Sequence, residues 1–276
     1  MLGQDLAAHL SARNQVIPAA HHQMDVTDLG QTSQTIDREK PDIVIHAAAF
    51  TAVDDCERQP ALAFKVNAEG TRNVALACRQ ASVPLLYVST DYVFDGQKAE
   101  PYVENDLANP LNVYGRSKLE GERYVSDLVA RYWIVRTSWL FGPMGKNFVR
   151  TILGKASRGE PLRVVSDQIG SPTYTLDLAE KLDEIIQRGD TGIYHVTNQG
   201  HCSWYKFAVE IIRQAGLQGV QVTPIPTSAS ERPAARPLNS RLANTRLEAG
   251  GFGLLPPWKQ AVRRYLDREA KLGLRA

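Results

Sequence analysis

Two short stretches carry residue types that could do acid–base chemistry on a bound substrate. "STDYVFDG", residues 89–96, closes an apolar run, and "YGRSK", residues 114–118, opens a charged helical stretch about 25 residues later. Side chains at i and i+4 are neighbours on a helix, so Tyr114 and Lys118 share a face. An ammonium beside a phenol favours the phenolate. That predicts a Tyr114 pKa drawn down from about 10 toward neutrality, where the group can donate or accept a proton. A hydroxyl from Ser89 or Thr90 would orient the substrate oxygen. Taken alone, Tyr114 also reads as an exposed helix residue.

The segments around these stretches alternate between strand-like and helix-like, which predicts a parallel sheet wrapped by helices. Leu6, Ala7 and Leu10 begin a helix with Gly3 in its first turn, and "QVIPAA" (15–20) reads as a short strand. A helix over "TDLGQTSQTIDREKP" stops at Pro41, and "DIVIHAAA" (42–49) is an apolar strand of the kind found inside parallel sheets. The amphipathic "NAEGTRNVALACRQASV" is a helix, "PLLYVST" a buried strand, Asn112 to Ala130 a long helix, and "YWIVRTSWLFG" a strand running into a loop. Both chemical stretches thus fall at carboxyl ends of strands, where open α/β sheets bind ligands.

Beyond about residue 145 the prolines multiply and the elements shorten, which predicts a nucleotide-binding half over 1–145 and a smaller lobe over 146–276 with some segments returning to the sheet. "SWYKFAVEIIRQAG" is a helix capped by Ser203 and closed by Gly216, and "PPWKQAVRRYLDRE" a terminal helix begun by proline. The long Pro/Ser/Arg loop of residues 224–242 carries Arg232, Arg236 and Arg241. These either grip phosphates or form a solvated basic surface.

The formal charge of +2 over 276 residues, evenly scattered, argues against nucleic acid or a membrane surface as partner. No apolar run approaches the ~20 residues of a membrane span, and no signal peptide opens the chain. Cys56, Cys78 and Cys202 lie far apart, which suggests neither disulfides nor a zinc site and fits buried thiols in a reduced cytoplasm.

Taken together, the chain resembles the extended short-chain dehydrogenase/reductase superfamily and, within it, the dTDP-4-dehydrorhamnose reductase family. The resemblance rests on "MDVTD", "PDIVIHAAAFTAVDDCE", "VNAEGTRNVA", "VSTDYVFDG", "NPLNVYGRSKLEGE", "RTSWLFG", "DQIGSPT" and "RPLNSRL", in the family's order and covering nearly the whole chain. It implies a Rossmann-type doubly wound sheet with a smaller C-terminal substrate lobe, NADPH or NADH as coenzyme, and a dTDP-sugar ketone as substrate, with a homodimer as one possible state. It implies that Tyr114 donates the proton, Lys118 activates it and binds the nicotinamide ribose, and Thr90 polarises the ketone. Asp25 and Val26 would flank the adenine, and Ala47, Ala48 and Ala49 would line the coenzyme pocket. Thr90, Asp91 and Trp139 would contact the deoxysugar, and no metal-ligating residues are assigned. Asp25 as a turn acid and Trp139 as a core aromatic are the plain structural alternatives.

Related dehydratases carry an Asp-Glu pair after the threonine, where this sequence has Asp91-Tyr92, so the resemblance favours reduction over elimination. Another nucleotide-sugar reductase or epimerase, or a non-catalytic NADP-binding regulatory subunit, is the alternative. In this family a strand and glycine-rich turn precede the first helix. "MLGQDL" carries the tail of that signature, with Gly3 as its last glycine, which implies that about 10–12 residues of strand and turn are missing and that pyrophosphate binding is weakened.

Overall fold

The apolar runs "VIH", "LLYVST", "YWIVRT" and "GIYH" become β1 (Val44–His46), β2 (Leu85–Thr90), β3 (Tyr132–Thr137) and β4 (Gly192–His195) in the computed structural model, which describes residues 1–271. They form one sheet in the order β1-β2-β3-β4, every pair parallel. Burial on both faces explains why these strands read as continuous apolar runs rather than alternating ones.

The longer helices are α1 (Leu2–Leu10), α2 (Leu29–Glu39), α3 (Gly70–Ala81), α4 (Val113–Leu128), α5 (Phe148–Ser157), α6 (Thr175–Arg188), α7 (Trp204–Gln214) and α8 (Trp258–Lys271). One sheet face, with Leu85, Tyr87 and Ile134, packs against Val74, Ala77 and Cys78 of α3 and Val125 of α4. The opposite face, with Leu86, Trp133 and Val135, packs against Leu2 and Leu6 of α1 and Leu178, Leu182 and Ile185 of α6. A separate core gathers Phe141, Ile152, Phe207, Ile211, Val262 and Tyr265 between α5, α7 and α8. The fold class read from the sequence, α/β with a parallel central sheet, is the one observed.

Side chains on neighbouring parallel strands share a face when their residues pair. Ser89 of β2, Arg136 of β3 and His195 of β4 are in register and stand in a row toward the α4 side. Thr90 pairs with Thr137 one residue on, where the strands end.

Three local expectations need correction. "QVIPAA" forms no strand: residues 15–20 are irregular and mostly exposed, with Ile17 44% exposed. Among the described residues β1 is the edge of the sheet, and no strand stands beside residues 15–20 to accept their backbone groups. Likewise "DIVIHAAA" is a strand only over Val44–His46, because the chain then bends away and the Phe50 N–H and C=O are both bonded by the Asn67 side chain, at 2.7 and 3.1 Å. In addition, Pro256 and Pro257 do not open the terminal helix. They lie in the strand Leu255–Pro257 beside Asn198–Gln199, and α8 starts at Trp258. No described helix is long and apolar enough to cross a membrane.

Candidate active site

The placement of α4 decides the site, and two glycines set it. A Cβ on Gly115 would sit 2.1 Å from the Tyr92 carbonyl oxygen, and one on Gly121 would sit 2.5 Å from the Tyr87 hydroxyl. Glycine costs stability inside a helix, about 0.5–1 kcal/mol relative to alanine. Here it lets the helix lie directly on the end of β2 and on the turn that follows. The first turn is fixed by Asn112, whose side chain accepts from the Gly115 N–H at 2.8 Å, and by Glu57, which accepts from the Val113 N–H at 2.7 Å.

Tyr114, one residue before Gly115, is thereby brought to the carboxyl end of β2. Its ring lies edge-on to Tyr92 with centroids 5.9 Å apart, and the Thr90 hydroxyl stands beside its phenol. Thr90 donates to the Asp91 carboxyl at 3.1 Å and accepts from the Tyr92 N–H at 3.2 Å. Burial pushes Asp91 up to about 7, against the Thr90 hydrogen bond that favours the carboxylate.

Lys118, one turn further along α4, is 2% exposed. Its ammonium donates to the Val88 carbonyl at 2.7 Å and lies 4.0 Å from the centre of the Tyr87 ring. Burial lowers its pKa to about 7, while the Glu122 carboxylate raises it. The expected lowering of the Tyr114 pKa is not found. Burial drives the phenol well above its ordinary value, with Asp91, Tyr92 and Cys56 adding to the rise and the Thr90 hydroxyl opposing it. Lys118 points its charge at the Val88 carbonyl, so the desolvation of the phenol prevails. In this structure Tyr114 is a proton holder. His46 stacks on Tyr87 at 5.5 Å, and burial followed by the Lys118 charge lowers its pKa to about 3, so it stays neutral.

Ala47, Ala48 and Ala49 follow β1 on the same side of the sheet; Ala48 is exposed and its neighbours half-buried. Asn67 grips this loop through Phe50 and also donates to Ser117 of α4 at 3.0 Å. Asp25 accepts from the Thr27 N–H at 2.9 Å, a bond that holds its carboxyl below the usual range. Val26 is buried against Gly70, and its carbonyl accepts from Asn73 at 3.0 Å. Two asparagines of "VNAEGTRNVA" thus secure both segments that the sequence assigned to the coenzyme. Their signal was two buried amides on one helical stretch, unreadable without knowing which loops they meet.

Trp139 adopts φ +47° and stacks on Trp204 with ring centroids 3.5 Å apart, its indole so close to Gly170 that a Cβ there would sit 2.5 Å away. Gly170 belongs to "DQIGSPT", whose Ile169 bonds the backbone of "RPLNSRL" through Leu238 and Ser240, at 2.7 and 2.8 Å. These contacts link Trp139 to the long loop.

The arginines of the long loop have partners within the chain. Arg232 and Arg236 both pair with Asp54, at 3.1 and 2.9 Å, while Arg241 bonds Asn239 and the Ala99 carbonyl. The loop is a strap tied to the start of α4, since Asn112 also donates to the Ala235 carbonyl at 2.8 Å.

A Rossmann-type parallel sheet with a threonine at a strand end, facing a tyrosine four residues before a buried lysine, defines the short-chain dehydrogenase/reductase class. Within it the chain belongs to the family described as "RmlD substrate binding domain", whose model matches residues 1–271. It is 41% identical over 276 residues to the dTDP-4-dehydrorhamnose reductase of Aggregatibacter actinomycetemcomitans, covering 95% of this chain and 94% of that protein. The crystal structure of a dTDP-4-dehydrorhamnose reductase from Clostridium acetobutylicum is similar, with TM-score 0.95, 42% identity, and coverage of 98% and 96% of the two chains. That of the Bacillus anthracis enzyme, in complex with NADP, matches with TM-score 0.94, 40% identity, and coverage of 97% and 95%.

Proposed function

We propose that this protein reduces the C4 ketone of dTDP-4-dehydro-L-rhamnose to give dTDP-L-rhamnose, using NADPH or NADH. The observation that carries this reading is the meeting of Thr90 and Tyr114 at the carboxyl end of β2, with Lys118 buried one turn below.

The residues present fit a dinucleotide. Small side chains at Ala47, Ala48 and Ala49 leave the backbone after β1 approachable, a Cβ built on Gly3 at the start of α1 meets nothing within 4 Å, and the half-buried Asp25 carboxyl is fixed by the Thr27 N–H. The bound coenzyme supplies the hydride that adds to C4. Tyr114 holds its proton at Oη because burial disfavours the phenolate, and it gives that proton to the developing alkoxide at O4. The Thr90 hydroxyl, beside the phenol, is positioned to hydrogen-bond the same oxygen and align it. Lys118, buried on the same helix face, would hold the nicotinamide ribose of the bound coenzyme, and its ammonium is the positive charge one turn from the phenolate left after transfer. Asp91 and Trp139 contact the deoxysugar, the first through its carboxyl at the end of β2 and the second through its indole.

The test is to incubate the protein with dTDP-4-dehydro-L-rhamnose and NADPH and identify the product by NMR. The proposal expects a C4 alcohol of the rhamnose configuration formed in step with coenzyme oxidation. Coenzyme binding without turnover would instead support a regulatory role.

A further inference from the structure

On α4 a third side chain continues the row of Tyr114 and Lys118: Glu122, one turn further on and 4% exposed. Its carboxylate accepts two bonds from Arg136 Nε, at 2.9 and 3.2 Å, and one from Nη2 at 2.6 Å, in a two-pronged pair buried at both ends. It also accepts from the Ser89 hydroxyl at 2.5 Å. Ser89 lies between Val88, whose carbonyl accepts the Lys118 hydrogen bond, and Thr90. One carboxylate therefore touches the strand on which both the lysine's acceptor and the site threonine stand. Arg136 is held on its far side by the Glu104 carbonyl at 3.4 Å and by the Phe94 ring, 5.1 Å from the guanidinium carbon. The pair is thus braced from β2, β3 and the loop after β2.

Arg136 has no role in binding that its position would explain, since it faces away from Thr90 and Thr137 on the sheet. A buried ion pair contributes little to stability compared with apolar packing, so its presence beneath the site asks for another reason. We propose that Glu122 is a positioning residue for the reaction: clamped by Arg136 and Ser89, it fixes a carboxylate one turn from Lys118 on the buried face of α4. The proposal rests on Lys118 acting as described under Proposed function.

The groups facing Lys118 are few. Tyr114 and Glu122 lie one turn to either side on α4, Tyr87 comes from β2, and neutral His46 from β1. The helical turn Lys65–Glu69 presents Asn67, which does not titrate, and Arg136 of β3 stands beyond Glu122. Among these, Glu122 is the negative group that favours the lysine proton against burial. Removing its charge makes Lys118 lose its proton at lower pH.

The measurement is the titration of Lys118 in protein carrying ε-13C-lysine, followed by NMR and assigned with Lys118→Arg, together with the pH profile of kcat. In Glu122→Gln the Lys118 midpoint falls by about one pH unit or more, and the alkaline fall of kcat moves with it. In Glu122→Asp, which keeps the charge, both stay within a few tenths of a unit of their wild-type positions. Should the unpaired arginine prevent folding, Glu122→Gln combined with Arg136→Met leaves a neutral pair of similar volume and is expected to show a smaller downward shift, because the more distant Arg136 cation is removed with the nearer carboxylate. An unmoved Lys118 midpoint in a folded variant lacking the Glu122 charge overturns the proposal. A midpoint that moves while the kcat profile does not shows that Glu122 governs the lysine but that the lysine's charge is not used in turnover, which overturns the reading of Lys118 instead.

Discussion

Gly115 lies so near Tyr92 that a Cβ on the glycine would sit 2.1 Å from the tyrosine's carbonyl oxygen. Backbone meets backbone at this point, so no flexible side chain can yield. Gly115→Ala is therefore expected to push the start of α4 off the turn after β2, at a cost of ~1–3 kcal/mol. Tyr114 moves with the helix, and turnover should fall more than tenfold, since a displacement of about 1 Å can cost two orders of magnitude in rate. Thermal melting and steady-state rates of the variant check both parts; wild-type values for both would show that the close approach does not set the site.

Asp91 is 3% exposed, and its Oδ2 has no hydrogen-bond partner of good geometry. Its pKa is raised to about 7 in the fold, against 3.8 as its ordinary value. A raised acid means that the native state binds the proton more tightly than the unfolded chain, so this group's contribution to stability is present below about pH 4 and is lost as pH rises toward 7. Asp91→Asn removes the penalty. It is expected to raise stability at pH 8 by on the order of 2–4 kcal/mol and to change it little at pH 4. Urea unfolding at the two pH values measures this, and equal effects at both would contradict the assigned shift.

The sheet was legible in the sequence because strands buried on both faces leave unbroken apolar runs, as in "PLLYVST" and "YWIVRT". The strand expected at "QVIPAA" was not formed, since a strand needs a neighbour as well as a pattern. For the site, Thr90, Tyr114 and Lys118 were visible through their types and helical spacing. The state of Tyr114 was not, because spacing reports that Lys118 is near and says nothing of the Val88 carbonyl that accepts its hydrogen bond or of the burial that raises the phenol. Gly115 and Gly121 inside a predicted helix were a readable sign of close packing that the charge pattern of the same segment obscured. The pairing of Arg232 and Arg236 with Asp54 spans about 180 residues of sequence and left no local trace.

Trp139 is held by the parallel face of Trp204 and by the absence of a side chain at Gly170. Trp139→Leu, which keeps an apolar group, is expected to raise KM for the nucleotide sugar about tenfold while leaving that for the coenzyme within twofold. Trp204→Leu should do the same more weakly by freeing the indole. Steady-state kinetics with each substrate varied in turn separates the two constants; equal changes in both would return Trp139 to a packing role.

The central claim is that Tyr114 delivers the proton when the sugar ketone is reduced. It is tested most directly by following coenzyme oxidation with dTDP-4-dehydro-L-rhamnose for the wild type beside Tyr114→Phe, with circular dichroism and melting confirming that both are folded. The substitution removes one hydroxyl and leaves the ring that packs against Tyr92. The account predicts brisk turnover for the wild type and a loss of ~100-fold or more in kcat for the variant, with KM for the coenzyme little changed. Wild-type rates from the folded phenylalanine variant would contradict it.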